Sequence, residues 1–288
     1  MAAWAATAIR RKHPDAFLVW ASESRCAPVI DRKALCSRVC EFPRDRWKRR
    51  RWSPGVWREQ IAAYARLRRF RFDYGIDLQG HSKTALCLRI ANPDRRVQAR
   101  ATDSMAKRLN FIPGEPTAGM HTVEWNHQVL CTLGEFEFPE QPIMPVEREL
   151  PDGLVTISVS AGQREKAYPA EQWATVAEAL LAQGRRVAFL GGPTDEPLAV
   201  PGAEDFVRKL PLEETMRMVA RSALHLCGDT GTGHMAAALG VPVVSVFGPT
   251  DERIYRPYTT RGLVLKNGSS TAATSPAEVV EAAGRMLG

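Results

Sequence analysis

Residues 224–247, LHLCGDTGTGHMAAALGVPVVSVF, decide the fold of this chain. The apolar stretch at 224–228 predicts a buried strand, residues 234–239 predict a short helix, and residues 241–247 predict a second strand. This order is the repeating unit of a parallel sheet with helices on both faces. Ligands in such sheets bind beyond the carboxyl ends of the strands, which is where the glycine-rich turn at 228–234 falls.

The same alternation continues on both sides of this unit. In the C-terminal half we predict strands at 154–160 and 186–192, and helices at 171–183, 212–222 and 275–287. Ser275 caps the last helix and Pro276 takes its first position. In the N-terminal half we predict strands at 16–20, 74–78 and 96–99, and helices at 2–12, 54–69, 82–90 and 123–133. Prolines crowd residues 137–153, so we predict two α/β domains, 1–137 and 154–288, joined by a linker at 138–153.

Composition restricts the class of protein. The chain has 288 residues and a net charge of +7, and it contains no apolar run of about 18 residues that could span a membrane. The apolar N-terminus lacks a preceding basic region and reaches Arg10 too soon for a secretory signal, so we expect a cytoplasmic protein. The six cysteines form no paired C-x-x-C framework, which favours free thiols over a zinc site.

The positive charge is densest at residues 44–52, RDRWKRRRW. Such a cluster could bind a polyanion, either a nucleic acid, an anionic membrane surface or an acidic substrate. It is equally typical of a solvated loop. Its tryptophans favour a contact surface, since an exposed indole suits a membrane interface or a sugar ring.

The turn at 228–234, GDTGTGH, is the strongest candidate site. Its glycines let backbone N–H groups approach a ligand, and the start of a helix offers unpaired donors and partial positive charge. A phosphate fits these properties. The alternative is a plain tight turn in which Asp229 is only a cap.

The stretch at 228–257, GDTGTGHMAAALGVPVVSVFGPTDERIYRP, resembles the signature of the lipopolysaccharide heptosyltransferase family, glycosyltransferase family 9. Three further segments are similar to that family: SAGQREKAYP at 160–169, GGPTDE at 191–196 and DLQGHSKTA at 77–85. The basic segment with its tryptophans is most similar to type I. The resemblance implies the GT-B architecture, two Rossmann-like domains facing across a cleft. It also implies transfer of a sugar, with inversion, to the Kdo-containing inner core of lipopolysaccharide. The sugar is heptose from ADP-heptose or comes from another sugar donor, and the resemblance leaves types I and II both open.

The resemblance also implies roles for individual residues. Lys166 would pair with the diphosphate and offset the charge on departing ADP, and Glu196 would accept hydrogen bonds from the ribose. The remaining donor-binding residues would be Ser160, Asp229, Thr230, Gly231 and His234. Cations for the carboxylates and phosphates of the acceptor would be Arg46, Lys48, Arg49, Lys83 and Arg100, each of which could instead be an ordinary surface charge. No D-x-D triplet occurs, so we expect transfer without a metal ion and with no cofactor beyond the nucleotide-sugar substrate.

The sequence departs from the family at its start. The family's general base is an aspartate in the first loop, and the match begins at about the residue after it. We therefore expect the first strand and catalytic loop to be missing, through a start assigned too late or a truncated paralogue, and a gap or exposed edge in the N-terminal sheet. A donor-binding remnant that transfers poorly is the alternative function. A nucleic-acid-binding protein is disfavoured, because the basic cluster is local and no nucleic-acid motif accompanies it.

Overall fold

The computed structural model of the chain describes residues 1–31 and 33–288. The chain separates into two compact units, Ala2–Ile143 and Met144–Gly288, with Met1 grouped with the second. The division falls inside the segment 138–153 that the sequence predicts as a linker. Among the described residues, no helix combines the length and the hydrophobicity needed to cross a bilayer.

The N-terminal unit alternates short strands with helices. Its strands are β1 (Val19–Glu23), β2 (Arg38–Phe42), β3 (Tyr74–Asp77) and β4 (Arg95–Gln98). Its α-helices are α1 (Ala2–Lys12), α2 (Arg44–Arg49), α3 (Pro54–Ala65), α4 (Ser82–Ala91), α5 (Ala106–Leu109) and α6 (Thr122–Cys131). Ala5 and Ala8 of α1 pack against Leu130 of α6, and a second apolar cluster joins β2, α2, α3 and α4. Helices therefore supply much of the packing in this unit.

The four strands form two separate parallel pairs, β1 with β2 and β3 with β4. Within residues 1–31 and 33–143, no further strand connects the pairs. The prediction of a gap or exposed edge in this sheet is thus confirmed. Each pair leaves backbone groups outside its ladder.

Three sequence predictions in this unit need correction. The strand predicted at 16–20 lies at Val19–Glu23, because the carbonyl of Ala16 accepts hydrogen bonds from Arg10 and Ser37 instead of joining a ladder. The helix predicted at 54–69 ends at Ala65 and tightens into a 3₁₀ helix. Strand β2 was not predicted at all, because its alternation is short and flanked by charge.

The C-terminal unit is built on one six-stranded parallel sheet. Its strands are β5 (Leu154–Ser158), β6 (Arg186–Leu190), β7 (Glu204–Asp205), β8 (Leu224–Cys227), β9 (Val243–Val246) and β10 (Gly262–Leu265), in the spatial order β10-β9-β8-β5-β6-β7. The helices are α7 (Ala170–Ala182), α8 (Leu212–Arg221), α9 (Gly231–Ala238), α10 (Glu252–Tyr255) and α11 (Pro276–Leu287). The chain runs outward from β5 through β6 to β7, then returns to β8 and continues through β9 to β10.

Strand burial explains why four of the six strands, β5, β6, β8 and β9, were predicted from the sequence, whereas β7 and β10 were not. The side chains of β5, β8 and β9 are all buried, as expected for strands covered on both faces. Val155, Ile157 and Leu226 pack on one face against Trp173 and Leu180 of α7. The predicted start of α11 is confirmed, since the hydroxyl of its cap accepts from a backbone N–H while Glu278 reaches back to the backbone N–H of the cap. Helix α9 begins at Gly231, three residues before the predicted 234.

Candidate functional site

The candidate site lies at the carboxyl edge of the C-terminal sheet, where the strand order reverses. β5 and β8 are neighbours, yet β5 continues to β6 on one side and β8 continues to β9 on the other. Their connecting helices lie on opposite faces: α7 packs with α11, and α9 packs with α8. The loops after β5 and β8 therefore leave the sheet toward opposite faces, at the position where open α/β sheets bind ligands.

The loop after β8 leads directly into the amino end of α9. Thr230 is the N-cap residue in extended conformation, and its hydroxyl lies 2.9 Å from that of Thr232. The first backbone N–H groups of a helix have no partner inside it and carry partial positive charge. Because α9 begins at Gly231, this anion-binding end falls within the glycine-rich turn. His234 lies one turn further along the same helix.

The three glycines of this loop serve different purposes. A Cβ on Gly233 would approach Cys227 Sγ to 2.6 Å, so this glycine lets α9 pack closely on β8. A Cβ on Gly228 would lie only 3.2 Å from the carbonyl oxygen of Lys166. Glycine at this position therefore lets the loop after β8 pack against the loop after β5. A Cβ on Gly231 would meet nothing within 4 Å, so packing does not require that glycine and the space beside it is open.

Lys166 and Asp229 join the loop after β5 to the loop after β8 by an ion pair. The Lys166 ammonium donates to Asp229 Oδ2 at 2.7 Å, and the two side chains are only 25% and 11% exposed. A carboxylate and an ammonium at this depth interact more strongly than a surface pair does. The structure thus brings Lys166 and the amino end of α9 to the same edge of the sheet.

The segment that carries Lys166 is held in place from behind. The Thr271 hydroxyl donates to the carbonyl of Ala167 at 2.6 Å. The Tyr168 hydroxyl donates to the Thr274 carbonyl at 3.0 Å, and its ring packs edge-on against Trp173 at 4.6 Å between centroids. Burial raises the pKa of Tyr168 to about 12, so this hydroxyl stays protonated and remains a donor.

The loop after β6 is joined to the loop after β5 by a hydrogen bond between a serine and an aspartate. The Ser160 hydroxyl donates to Asp195 Oδ2, which also accepts from the backbone N–H of Gly192 at 2.6 Å. Asp195 therefore ties the loop after β6 to the loop after β5, a role that sequence reasoning missed. Its signal was its place three residues after Gly192, typical of an acidic residue that closes a turn. Glu196 is instead 80% exposed, with a long ion pair to Arg208 at 3.4 Å.

The cations predicted for the acceptor lie in the N-terminal unit and divide into two groups. Lys83 has its pKa lowered first by burial and then by Arg44, Lys48 and Arg25, with Glu23 acting in the opposite direction. Lys83 and Lys48 therefore share one positive field with Arg44 and Arg25, which Glu23 offsets in part, 3.9 Å from the Lys83 ammonium. A field of this kind attracts anions.

The other three predicted cations differ in their surroundings. Arg46 pairs with Glu59 of α3, and Arg49 is exposed at the end of α2. The backbone of Arg100 packs so closely against Gly80 that a Cβ there would overlap the Arg100 carbonyl oxygen. The Arg100 Nε is buried and has no hydrogen-bond partner.

Comparisons with known proteins agree with this architecture. Relatives in sequence include a lipopolysaccharide heptosyltransferase 3 of Escherichia coli, 26% identical over 218 residues that cover 67% of this chain and 64% of that protein. Lipopolysaccharide heptosyltransferase 1 of E. coli K12 is 24% identical over 265 residues, 86% of this chain and 83% of that protein. The chain thus spans just under two thirds of the first relative and more of the second.

Solved structures share the whole fold. The E. coli heptosyltransferase WaaC with ADP superposes with a TM-score of 0.80 at 20% identity, covering 99% of this chain and 94% of that one. Its complex with ADP-2-deoxy-2-fluoro heptose gives 0.79 at 20% identity, with 98% and 95% covered. The predicted GT-B fold class is thereby confirmed. The family model described as glycosyltransferase family 9 (heptosyltransferase) matches residues 61–280, and the chain therefore belongs to that family.

Proposed function

We propose that this chain transfers heptose from ADP-heptose to the inner core of lipopolysaccharide. The observation that carries the proposal is the meeting of Lys166 and Asp229 at the amino end of α9. Family membership and the names of the relatives support the same activity. The ligands named in the WaaC structures support an adenosine diphosphate donor.

In this proposal the diphosphate of the donor lies against the backbone N–H groups that open α9. The Lys166 ammonium exchanges its partner, from Asp229 Oδ2 to a phosphate oxygen, as the donor enters. Asp229, Thr230 and His234 then face the sugar and the phosphates, and Ser160 lines the other wall. Glu196 accepts hydrogen bonds from the ribose. Its carboxylate is available for this contact, since it is exposed and its ion pair with Arg208 is long.

The reaction follows from this placement. A hydroxyl oxygen of the acceptor attacks the anomeric carbon from the side opposite ADP, the bond from that carbon to the β-phosphate oxygen breaks, and the configuration inverts. The acceptor hydroxyl loses its proton to a base. Negative charge grows on the departing ADP, where Lys166 and the helix end offset it. These groups supply the positive charge, so the proposal includes no metal ion.

On the acceptor side we propose that Lys48 and Lys83 bind carboxylates and phosphates of the inner core, aided by Arg44. Their shared positive field is the supporting observation. Arg46, Arg49 and Arg100 are further candidates for the same anions. Arg46 is paired with Glu59, as Lys83 is with Glu23. We also propose that the protein works in the cytoplasm, in peripheral contact with the anionic inner face of the inner membrane, where an acceptor anchored in lipid would be reached. We propose no nucleic-acid partner.

Calorimetry with ADP, UDP and GDP tests the donor site. We expect ADP to bind most tightly. Lys166→Ala should weaken ADP binding about 10- to 100-fold, since a hydrogen bond to a charged group contributes about 1.5–3 kcal/mol. The matched control is Lys209→Ala, which removes an exposed lysine paired with Asp205 elsewhere in the same unit. Equal affinity for the three nucleotides, or an equal loss in both variants, would contradict the proposal.

A transfer assay with ADP-heptose and a detergent-solubilised inner-core acceptor tests the chemistry. Heptosylated acceptor and released ADP should form in equal amounts, and EDTA should leave the rate unchanged. Binding of ADP without any transfer would instead support the donor-binding remnant.

A further inference from the structure

We infer that the outer face of α3, with the turn before it, is a docking surface for an anionic lipid bilayer. The surface consists of Arg50, Arg51, Trp52, Trp57, Arg58 and Ile61, and we call it the α3 surface. The inference rests on the membrane contact proposed above and assigns it to particular residues. Those residues are distinct from the cations proposed for the acceptor.

Charge is the first argument. The N-terminal unit holds 25 lysines and arginines against 15 acidic residues, whereas the C-terminal unit holds 14 against 17. Of the 18 residues from 44 to 61, seven are lysine or arginine and two are acidic. One of those acids, Glu59, is already paired with Arg46 of α2. The local excess of positive charge therefore faces solvent with little internal compensation.

Exposed apolar side chains lie within this charge. Trp52 is 82% exposed, and Trp57 and Ile61 are 47% and 48% exposed. The last two are four residues apart on α3, so they stand side by side on one face of the helix. An exposed cluster of this kind marks an interaction surface, whereas a single scattered apolar side chain is ordinary on a protein surface.

The helix does not need these side chains for its own packing. Its inner face is held by Tyr64, which is 1% exposed and packs edge-on against Phe42 and Trp47 at 5.2 and 6.0 Å between ring centroids. Trp52 instead lies under the Arg51 guanidinium, whose central carbon is 5.3 Å from the ring centroid. The indole and its neighbouring cation therefore both point to solvent.

This chemistry matches the boundary between headgroups and acyl chains. Tryptophan is enriched at that boundary, where its ring is half apolar and its N–H remains in water. Arginines beside it meet the negative surface potential of anionic lipids. A helix that lies flat, with aromatic and aliphatic side chains on the membrane side and cations around them, is the form such interfacial elements take. A nucleic-acid surface would not need Ile61.

Vesicle co-sedimentation at low salt, without donor or acceptor, tests the inference. We expect the full chain to bind vesicles of phosphatidylglycerol and phosphatidylcholine, and to bind pure phosphatidylcholine far more weakly. Replacing Arg50, Arg51 and Arg58 together by glutamine should weaken vesicle binding 10- to 100-fold, because each positive charge near the membrane surface contributes up to about a factor of five in affinity. Trp52→Ala with Trp57→Ala should weaken it at least tenfold.

Matched controls remove the same charge or the same kind of ring elsewhere in the N-terminal unit. One control replaces Arg89, Lys107 and Arg108 by glutamine, and the other is Phe111→Ala at a side chain that is 64% exposed. Both controls should bind vesicles as the parent does. A loss in the controls equal to that in the α3 variants would overturn the assignment, and so would equal binding to neutral vesicles.

A second measurement protects the test against misfolding. The conservative pair Trp52→Phe and Trp57→Phe should keep vesicle binding but lose the quenching of tryptophan fluorescence by brominated lipids. Retained quenching would place other tryptophans at the bilayer and refute the inference. Tight binding of RNA, lost in the same variants, would assign the surface to nucleic acid instead. ADP titration in solution needs no vesicles, so failure here leaves the donor-site proposal separately testable.

Discussion

Replacing His225 by leucine removes a titratable group from the centre of the C-terminal sheet. His225 lies on β8 and is fully buried, with Nδ1 2.9 Å from the Thr156 hydroxyl on β5. Its Nε2 is also buried and has no hydrogen-bond partner. The ring is therefore neutral in the folded chain, because burial disfavours the protonated form.

The size of the effect follows from the shift in pKa. Burial lowers the pKa of His225 from 6.5 to about 3. A histidine whose folded pKa is depressed stabilises the fold above its unfolded pKa, and that stability is lost as the pH falls below 6.5 toward 3. Each pKa unit corresponds to about 1.4 kcal/mol, so the native chain should lose about 2–3 kcal/mol through this residue between pH 7 and pH 4.5. His225→Leu should lose none of that portion.

The assay is urea denaturation at pH 7 and pH 4.5, followed by circular dichroism. At pH 7 His225→Leu should lower the free energy of unfolding by about 1 kcal/mol, because the hydrogen bond to Thr156 is lost. Between pH 7 and pH 4.5 the free energy of unfolding of this variant should fall by about 2–3 kcal/mol less than that of the native chain. His13→Gln, at an exposed histidine, is the matched control and should retain the native pH dependence. Equal pH dependence in all three proteins would refute the reasoning, as would an NMR titration that finds every histidine protonated by pH 5.

Two further predictions concern packing near the site. Gly233→Ala should destabilise the chain by about 1–3 kcal/mol, because the new Cβ would approach Cys227 Sγ to 2.6 Å. Gly231→Ala should leave stability nearly unchanged, since its Cβ would meet nothing within 4 Å, but it should weaken ADP binding. Thermal unfolding separates these effects, and the double variant Gly233→Ala with Cys227→Ala should recover stability; failure to recover would locate the clash elsewhere. Ser275→Ala should cost about 1 kcal/mol by removing the cap of α11, while Ser269→Ala at a nearby exposed serine should cost nothing measurable, and equal losses would contradict the capping role.

The C-terminal sheet was predictable because its strands carry an unambiguous local signal. Stretches such as 154–158 and 243–246 are β-branched, apolar and buried on both faces, so composition alone marks them. The turn at 228–234 was predictable for a similar reason, since glycines that directly follow an apolar strand mark the place where the chain turns. The start of α9 was placed three residues late, because glycine and threonine are poor helix formers and only the tertiary contact with β8 fixes Gly233 in the helix.

The remaining features depend on contacts distant in sequence. Strand β2 is defined only by its pairing with β1, and the two-residue β7 only by its pairing with β6. The Lys166–Asp229 ion pair joins residues 63 positions apart, and Asp195 reaches Ser160 over 35 positions. The resemblance indicated Lys166 and Asp229 as individual residues, but no local pattern could show that one neutralises the other. The positive field around Lys83 likewise needs the fold to bring Arg25 and Arg44 beside it.

The two isolated strand pairs of the N-terminal unit affect how that unit responds to heat. A continuous sheet spreads strain over many amide groups, whereas a ladder of four or five residues frays from both sides. The N-terminal unit must therefore be stabilised by side-chain packing, chiefly by the contacts among the rings of Phe42, Trp47 and Tyr64. On warming, the backbone amides of the N-terminal unit should therefore exchange with deuterium before those of the C-terminal unit. The loops after β5 and β8 should then still be ordered.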